Sequence, residues 1–580
     1  MIKTDFLPTT KKDLEERGWR ELDVILITGD AYVDHASYGA AVIGRVLEDG
    51  GFRVGIIAQP DWKKSDDFLK LGRPRLFFGV TAGNLDSMLS NYTPNKTLRR
   101  EDDYSPGGRP GLRPNRATIV YTNKVKELFP DTPVIIGGME ASLRRLAHYD
   151  YWSDQVRRSM LLDSKADILV YGMGERQVLE IAGRLKEGED IKDLDGIRGT
   201  VIARSDVSNL KGRVEIPSFE EVRGDKDKFN EAFRAVYPES DPFRGRVVVQ
   251  RHDTRFIVQM PPAEPLKTEE IDRIYLLNYA RAWHPAYDSK GGVPGFETVR
   301  FSIISHRGCC GECAFCSLYF HQGRIIQNRS KGSILEEVRR LAGSRDFRGT
   351  ITDIGGPTAN LYEAECALWK GKGACAHKKC LVPQKCQNLR LGYKKTLELW
   401  ESVMRVPGVR HLFIGSGVRY DLLVDRYSDE YLRRLCGRHV SGYLKVAPEH
   451  TVDRVLGLMN KPRFDVYERF VERFRDMNRA LDKKQFLVNY FISSHPGCGM
   501  KEAKEMSGYL AKRKIRPEQI QDFIPLPMTL SGCVYWTGRH PMTGKTIYVP
   551  SGLRERKIQR ALMQSTQPKN RKLIRKALSP

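Results

Sequence analysis

The cysteines are the residues of this chain best suited to chemistry, and their distribution along its 580 residues is uneven. None of the eleven precedes Cys309, and eight lie between Cys309 and Cys386. The first group reads CCGECAFC and follows a short apolar run. Thiolates are soft, anionic ligands, so a group this dense predicts a metal or redox centre.

Three cysteines of the first group, Cys309, Cys313 and Cys316, have the spacing Cys-x3-Cys-x2-Cys. Three thiolates so close in sequence can bind three irons of a [4Fe–4S] cluster and leave the fourth iron without a protein ligand. An open metal position is where a substrate or cofactor binds. The spacing therefore predicts a catalytic cluster rather than a four-cysteine electron-transfer centre.

Zinc is the alternative occupant of this first group. A structural zinc ion requires a fourth ligand, which His306 or Cys310 could supply. Cys310 also permits a second register, Cys310-x2-Cys313-x2-Cys316. Under this alternative the chain would be a zinc-stabilised nucleic-acid-binding protein without turnover.

A second group of four cysteines has uneven gaps of eight, four and five residues, with lysines between them. These gaps match no zinc-ribbon pattern. Three interpretations stay open: an auxiliary Fe–S cluster, a structural zinc ion, and free thiols or a disulfide formed during turnover. The group consists of Cys366, Cys375, Cys380 and Cys386.

The elements around both groups follow a strand–helix repeat. Six such units predict a partial (β/α)6 barrel, whose active site would lie on the loops after the strands. Helical stretches at 334–342 and 464–481 separate some of the strands. The predicted strands are 299–305, 350–354, 411–415, 442–447, 485–493 and 519–525.

The cysteine-free first half of the chain predicts an α/β, doubly wound, Rossmann-like sheet, because β-branched runs alternate with helical stretches. Ligands bind such sheets at the carboxyl ends of the strands. There, Asp34, His35 and Gly39 resemble the loop that places a histidine beneath cobalamin, but the spacing differs. Histidine ligation of cobalt is therefore the less favoured interpretation. The predicted strands are 23–28, 53–58, 75–80, 133–137 and 167–171.

The trio of cysteines, with Phe315 just before the last of them, resembles the radical SAM signature. The whole chain is similar to the YgiQ-like radical SAM proteins. That resemblance implies a cobalamin-domain-like N-terminal half, a radical SAM barrel and a basic C-terminal extension, but no substrate. It is carried by TGDAYVDH at 28–35, SHRGC at 305–309, DIGGPTAN at 353–360, LKVAPEHT at 444–451 and QDFIPLP at 521–527.

The chemistry implied by the resemblance begins with S-adenosylmethionine chelating the open iron through its amino and carboxylate groups. One electron then splits the sulfonium into methionine and a 5′-deoxyadenosyl radical, which takes a hydrogen atom from the substrate. A donor such as a flavodoxin or ferredoxin would supply the electron.

The resemblance also implies residues that bind S-adenosylmethionine. Gly355 and Gly356 would receive the methionine amino group through their backbone, and Phe315 would pack near the adenine. Pro357 stands where this segment often has a glutamate. Arginine and lysine suit a carboxylate, while serine and glutamate suit a ribose. Polar candidates of these types after the third and fourth strands are Ser416, Arg419, Lys445 and Glu449.

Charge and hydropathy bound the partners. Lysine and arginine number 96 against 72 acids, a net charge of +24, and the residues from Ser551 onward supply +8 of it. This basic tail predicts either a polyanionic partner or a solvated segment, so RNA or protein is the expected substrate class. No apolar run reaches the roughly 18 residues of a membrane span. The N-terminus lacks a secretory signal, so we expect a cytoplasmic protein.

Four segments are expected along the chain. Residues 1–205 would form the Rossmann-like domain, and 206–290 a connecting module with a hairpin. Residues 291–545 would form the radical SAM barrel, and 546–580 the basic C-terminal extension.

Overall fold

The computed structural model of the chain describes residues 6–518 and 520–578. The chain divides into two compact units, described separately below. The first runs up to Arg300 and includes Phe320–Gln322, and the second comprises Phe301–Tyr319 and the described residues from Gly323 onward. Every helix in these described residues is too short or too polar to traverse a lipid bilayer.

The first unit is built around a nine-stranded sheet of order β10-β11-β12-β9-β8-β5-β4-β1-β3. Its central strands β3, β1, β4, β5 and β8 are parallel, as predicted for a doubly wound sheet. The strands of this unit are β1 (Val24–Thr28), β2 (Val33–Asp34), β3 (Val54–Ala58), β4 (Phe77–Thr81), β5 (Val134–Gly137), β6 (His148–Asp150), β7 (Gln155–Arg157), β8 (Ile168–Val170), β9 (Thr200–Arg204), β10 (Val214–Ile216), β11 (Val248–His252), β12 (Arg255–Gln259) and β13 (Ala282–Trp283).

Helices cover both faces of this sheet, which explains why strands such as β1 are apolar at every position. On one face, α2 packs against α8, and their apolar residues share a core with Val24 and Leu26. On the other, α5 packs on β4 and β5. The helices of the unit are α1 (Lys11–Glu16), α2 (Gly39–Asp49), α3 (Asp66–Leu69), α4 (Ser87–Asn91), α5 (Ala117–Leu128), α6 (Gly138–Leu143), α7 (Met160–Ser164), α8 (Glu175–Lys186), α9 (Phe219–Gly224), α10 (Lys226–Val236), α11 (Thr268–Leu276) and α12 (Pro294–Glu297).

The segment expected to be a connecting module extends this sheet. β11 and β12 form an antiparallel hairpin, and β12 pairs with β9, so the module adds strands to one edge of the parallel core. β9 itself runs antiparallel to β8. The module is therefore continuous with the first unit.

A buried ionic cluster lies after the central strand β1. Arg113 is fully buried; its Nη2 donates to Asp30 at 2.8 Å and to Asp102 at 3.2 Å, and its Nε donates to the carbonyl of Gly29 at 2.9 Å. Burial raises the pKa of Asp30 to about 6, although Arg113 opposes the shift. The cluster ties the chain after β1 to the long loop that carries Asp102.

The second unit contains six strand segments in sequential parallel order, as expected of a partial (β/α)6 barrel. β14 pairs with β18, β17 with β19, and β20 with β21 and then β22. A parallel bridge between Val418 and Val446 joins the third segment to the fourth. The predicted α/β fold class, a Rossmann-like sheet plus a partial barrel, is confirmed. The strands are β14 (Ser302–Ile304), β15 (His306–Arg307), β16 (Gln327–Asn328), β17 (Thr350–Ile351), β18 (Asp353–Gly355), β19 (His411–Leu412), β20 (Tyr443–Glu449), β21 (Phe486–Ser493) and β22 (Ile520–Asp522).

Amphipathic helices alternate with these strands. On α19, the buried residues include Phe464, Tyr467, Phe470 and Phe474, the i, i+3 and i+4 spacing of a single apolar face. The helices from the boundary of the units onward are α13 (Leu318–His321), α14 (Lys331–Ala342), α15 (Trp369–Lys372), α16 (Tyr393–Met404), α17 (Asp429–Arg434), α18 (Asp453–Leu458), α19 (Phe464–Ala480), α20 (Met500–Lys512), α21 (Leu530–Thr537), α22 (Leu553–Met563) and α23 (Arg571–Leu578).

The basic tail begins as a packed part of this unit. In α22, Arg556 is buried and donates to the carbonyl of Phe523, and Arg560 pairs with Asp522 at 2.9 Å. Two of the basic residues of the tail therefore serve internal contacts.

The ionic cluster of the first unit leads to a stability prediction. Replacing Arg113 with alanine leaves two buried carboxylates without their cation, which we expect to cost about 3–5 kcal/mol. Thermal and guanidinium unfolding would measure the loss. The exposed Arg109 is the matched control, because its replacement should change stability by no more than about 0.5 kcal/mol. Equal destabilisation by both substitutions would contradict this account.

Candidate functional site

The first cysteine group lies on the loop 308–316, directly after β14 and β15, and three other segments hold this loop. The amide of Cys309 donates to the carbonyl of Gly323 at 3.1 Å, and that of Ala314 to Met459 at 2.9 Å. The carbonyl of Ala314 accepts from the amide of Ser531 at 2.9 Å. These bonds fix the loop at both ends of the cysteine sequence.

The centre of the loop is held at Glu312, whose backbone is left-handed with φ of +46°. This conformation is unfavourable for a residue with a side chain. The carbonyl of Glu312 accepts from Asn460 at 3.0 Å, and its buried carboxylate pairs with Arg324 at 3.2 Å. These contacts compensate the backbone strain and set the directions of the flanking thiols.

The three thiols of the Cys-x3-Cys-x2-Cys trio face one another across this loop. Cys309, Cys313 and Cys316 interact electrostatically in every pairing. A Cβ atom on Gly311 would stand 3.3 Å from the sulfur of Cys309 and 3.9 Å from that of Cys313. Glycine thus leaves open the space beside these two sulfurs.

Cys310 is turned toward a different partner. Its buried thiol donates a hydrogen bond to Cys380, which lies in the second cysteine group. This bond raises the pKa of Cys310 and lowers the pKa of Cys380. The structure therefore favours the register that begins at Cys309 over the one that begins at Cys310.

The donor set of the trio fits an iron–sulfur cluster. Burial raises the pKa of Cys309 and of Cys316, and neighbouring thiols raise both further. Buried thiols of this kind ionise when a metal supplies the compensating positive charge, with release of protons. Three thiols around a glycine-lined space are suited to a cluster that binds through three corners.

A single zinc ion finds no comparable ligand set. Among the described residues, no three histidine, cysteine, aspartate or glutamate side chains converge on one ion position. A zinc ion needs its ligands at a single point, whereas an iron–sulfur cube spreads its thiolates over several irons. Of the second cysteine group, Cys366 is buried, while Cys375, Cys380 and Cys386 are partly exposed.

The second strand segment ends in the predicted glycine pair. A Cβ on Gly355 would stand 2.7 Å from the hydroxyl of Ser416, and one on Gly356 would stand 2.6 Å from the carbonyl of His306. Only glycine allows these backbones to approach so closely. The pair therefore joins the first strand segment to the loop after the third.

Asp353 organises the loop after the third strand segment. Its carboxylate accepts from the amides of Gly415 at 2.9 Å and Ser416 at 3.0 Å, and also from the hydroxyl of Ser416. Burial raises the pKa of Asp353 despite these hydrogen bonds. The carboxylate thus holds Ser416 at the carboxyl edge of the strands.

Arg419 connects this loop to the cysteines. Its Nη1 donates to the sulfur of Cys313 at 3.7 Å. Asp421 accepts from the other side of the guanidinium at 2.9 and 2.7 Å, and Asn360 binds the Arg419 backbone. The buried cation is therefore committed to a sulfur and to Asp421.

The loop after the fourth strand segment brings one acid to the cysteines. Glu449 is buried with φ of +67°, and it interacts electrostatically with Cys316, Arg419 and Lys461. Burial raises the pKa of Glu449, and Lys461 is the largest opposing influence. Lys445 is exposed, and its carbonyl accepts from Val418.

Phe315 is half-buried, and its ring meets that of His495 edge-on, with the centroids 6.2 Å apart. His495 is buried, bonds to the hydroxyl of Ser531 at 2.7 Å, and has its pKa lowered by burial to about 3. A neutral imidazole therefore supports the Phe315 ring.

In the first unit, the loop after β1 is closely packed. Asp34 pairs with Arg45 and accepts from the amide of Ala280 at 3.0 Å. His35 is buried, and its Nδ1 accepts from the amide of Ser37 at 3.1 Å. Its Nε2 is also buried and makes no hydrogen bond. A cobalt ligand at His35 would require this loop to open.

Four polar residues of the second unit escaped the sequence-based prediction of side-chain roles. Asp353 had a signal, because it stands at a strand end two residues before the glycine pair. Asp421 also had one, as an acid two residues after Arg419. Asn360 and Lys461 had none, since both reach the site from loops whose docking no local pattern reveals.

Comparison with known proteins identifies the family. The model for the radical SAM N-terminal region matches residues 6–302, and a domain of unknown function, DUF3362, matches residues 518–580. A UPF0313 protein of Clostridium botulinum (strain 657) is 50% identical over 578 residues, covering 100% of this chain and 90% of its own. The chain belongs to the UPF0313 family of radical SAM proteins. A member from Methanocella arvoryzae is 51% identical, covering 98% of this chain and 94% of its own.

The resemblance to YgiQ-like radical SAM proteins is thereby confirmed, and the chain is a radical SAM enzyme. Membership implies a [4Fe–4S] cluster, S-adenosylmethionine and an electron donor. The zinc-stabilised nucleic-acid-binding protein is not favoured.

Two solved structures are similar at low identity. The radical S-adenosylmethionine methyltransferase TsrM from Kitasatospora setae, with tryptophan and a SAM analog bound, has a TM-score of 0.48 at 16% identity, covering 88% of this chain and 76% of its own. The cobalamin-dependent radical enzyme OxsB, with aqua-cobalamin bound, has a TM-score of 0.47 at 11% identity, covering 90% and 56%. At these values, neither substrate nor cobalamin is transferred to this chain.

The Asp353 contacts can be tested by substitution. Replacing Asp353 with alanine leaves the Gly415 and Ser416 donors without their acceptor, which we expect to cost about 1–3 kcal/mol. Thermal unfolding would measure the loss. Asp476 on α19 is the control, because its side chain is 70% exposed. A loss no larger than that of the control would show that Asp353 does not organise the loop.

Proposed function

We propose that the trio Cys309, Cys313 and Cys316 binds a [4Fe–4S] cluster at which S-adenosylmethionine is cleaved reductively. When bound, the cluster and S-adenosylmethionine together supply a 5′-deoxyadenosyl radical, which takes a hydrogen atom from the substrate. The observation that carries the proposal is the orientation of the cysteine loop: three thiols face one another, while Cys310 faces Cys380.

The residues proposed to receive S-adenosylmethionine follow the strand segments of the same unit. Gly355 and Gly356 lie where the second segment ends, and their lack of a Cβ supports backbone contact with the methionine amino group. Ser416 follows the third segment and Glu449 ends the fourth, and both suit the ribose hydroxyls. Phe315, backed by His495, would pack against the adenine.

Arg419 receives a different role from the one expected of it. The sequence suggested a partner for the carboxylate of S-adenosylmethionine, but the guanidinium is held by Asp421 and donates to Cys313. We assign it to stabilising negative charge on the cysteine sulfurs. Lys445 is exposed and keeps the carboxylate role in the proposal.

An electron donor of the flavodoxin or ferredoxin type would reduce the cluster. The substrate class remains RNA or protein, on the strength of the basic tail. Arg556 and Arg560 are engaged within the unit, so the remaining basic residues of the tail would carry that recognition.

The cluster assignment predicts the behaviour of Cys313→Ala. Anaerobically purified protein should be brown, and with S-adenosylmethionine and a reductant it should yield 5′-deoxyadenosine. The variant should lose its colour and its product to below about 1% of the unsubstituted chain, since residual turnover without the thiolate ligand is not expected. Absorption spectra, iron analysis and chromatography of the product would measure this.

Cys436→Ala is the matched control, because this thiol is also buried in the second unit. It should retain both colour and product. A colourless, zinc-loaded unsubstituted protein with an intact fold would overturn the assignment.

Arg419 should set the reduction potential of the cluster. Replacing it with methionine removes a cation beside a ligating sulfur, so adding an electron becomes less favourable. We expect the midpoint potential to fall by about 50 mV, a factor of about seven in the reduction equilibrium. A redox titration followed by electron paramagnetic resonance would measure it.

Arg433→Met is the control, since this arginine is exposed and paired with Glu430 on α17. An unchanged potential in Arg419→Met, with full iron content, would remove Arg419 from this role.

A further inference from the structure

A pair of thiols beside the cysteine loop is left unused by the proposed reaction. Cys310 is 1% exposed, and its thiol donates a hydrogen bond to Cys380. Cys380 is partly exposed. One thiol is therefore shielded by the loop, while its partner can meet a small reagent.

The two thiols come from segments that are far apart in sequence. Cys310 stands within the cysteine loop, next to Cys309, and Cys380 belongs to the segment that follows the second strand. The backbone carbonyl of Cys380 accepts from the amide of Cys386 at 2.8 Å, which closes a local turn. A bond between the sulfurs would join this turn covalently to the loop of the proposed cluster ligands.

Charged groups surround the more exposed thiol. Arg324 favours a negative charge on Cys380, and Glu312 opposes it. Arg324 and Glu312 also pair with each other at 3.2 Å. The thiol of Cys380 therefore lies against the ion pair that holds the centre of the cysteine loop.

We propose that Cys310 and Cys380 form a reversible disulfide, a redox-modification site separate from the three cysteines proposed as cluster ligands. Their hydrogen-bonded contact, and the accessibility of only one of them, carry the proposal. It does not depend on the proposed reaction. The bond would lock the segment after the second strand onto the cysteine loop under oxidising conditions and release it under reducing ones.

The oxidant is a low-molecular-weight disulfide such as oxidised glutathione. The Cys380 thiolate attacks one sulfur of that disulfide, forming a mixed disulfide and releasing one glutathione thiolate. Cys310 then loses its proton and attacks the sulfur of Cys380, which expels the second glutathione. Two protein thiols are oxidised, one disulfide is reduced to two thiols, and each thiol proton passes to a departing glutathione.

The test uses the full chain with its cluster, equilibrated without oxygen in glutathione mixtures from reducing to oxidising. Free thiols are trapped by acid quenching and alkylation, and peptides are quantified by mass spectrometry. The peptide pair linked through Cys310 and Cys380 should increase at least about ten-fold between mixtures whose potentials differ by about 30 mV on either side of the midpoint. Dithiothreitol should remove it.

Three variants give the experiment its controls. Cys310→Ser and Cys380→Ser should each abolish the linked peptide, whereas Cys386→Ser, a partly exposed thiol in the same segment, should leave it unchanged. Iron content distinguishes a redox pair from a ligand, so Cys380→Ser should bind as much iron as Cys386→Ser.

Several results would overturn the proposal. The two thiols could remain fully alkylated in the most oxidising mixture, or Cys380 could link to Cys375 or Cys386 instead. A selective loss of iron in Cys380→Ser would make this thiol a metal ligand. Failure of the proposed reaction would be seen separately, as unsubstituted protein that yields no 5′-deoxyadenosine while still forming the disulfide.

Discussion

The second unit depends on the way in which one short loop is held against its surroundings. The loop 308–316 contains no regular secondary structure, so backbone bonds to Gly323, Met459 and Ser531 position it. The side chain of Asn460 and the ion pair between Glu312 and Arg324 add to these bonds. Because the thiols are one to four bonds from this backbone, their separations are only as well defined as its anchors. A metal centre that needs three thiolates in a set arrangement requires this kind of support from outside the loop.

The charges around the loop are arranged in compensating pairs. Arg419 is held by Asp421, and Lys461 lies near Glu449, so each buried cation has a carboxylate close to it. Buried charges are tolerated when they are paired and hydrogen-bonded. The positive members also approach the cysteines, where thiolates would develop on metal binding. The same contacts therefore stabilise the fold and prepare an environment for an anionic cluster.

Much of the fold was predictable because its strands are buried on both faces. Val24–Thr28 and the runs that correspond to β3, β4 and β5 are apolar at nearly every position, and only a covered parallel sheet favours that pattern. The edge formed by β9 to β12 was less visible. A hairpin was expected there, but no local signal revealed that it would pair antiparallel with the parallel core. Strand partners are chosen by tertiary contact, which a single run does not encode.

By itself, the sequence determined which thiols can act together locally. The spacing of Cys309, Cys313 and Cys316 confines them to one loop, whatever the remainder of the chain does. The aromatic residue and the glycines near them are local in the same sense. Only the tertiary structure decided the direction of each side chain. Cys310 turns away from its neighbours toward Cys380 because the left-handed backbone at Glu312 and the docking of a distant segment set that direction. Side-chain direction depends on how a loop is anchored, and those anchors come from residues remote in sequence.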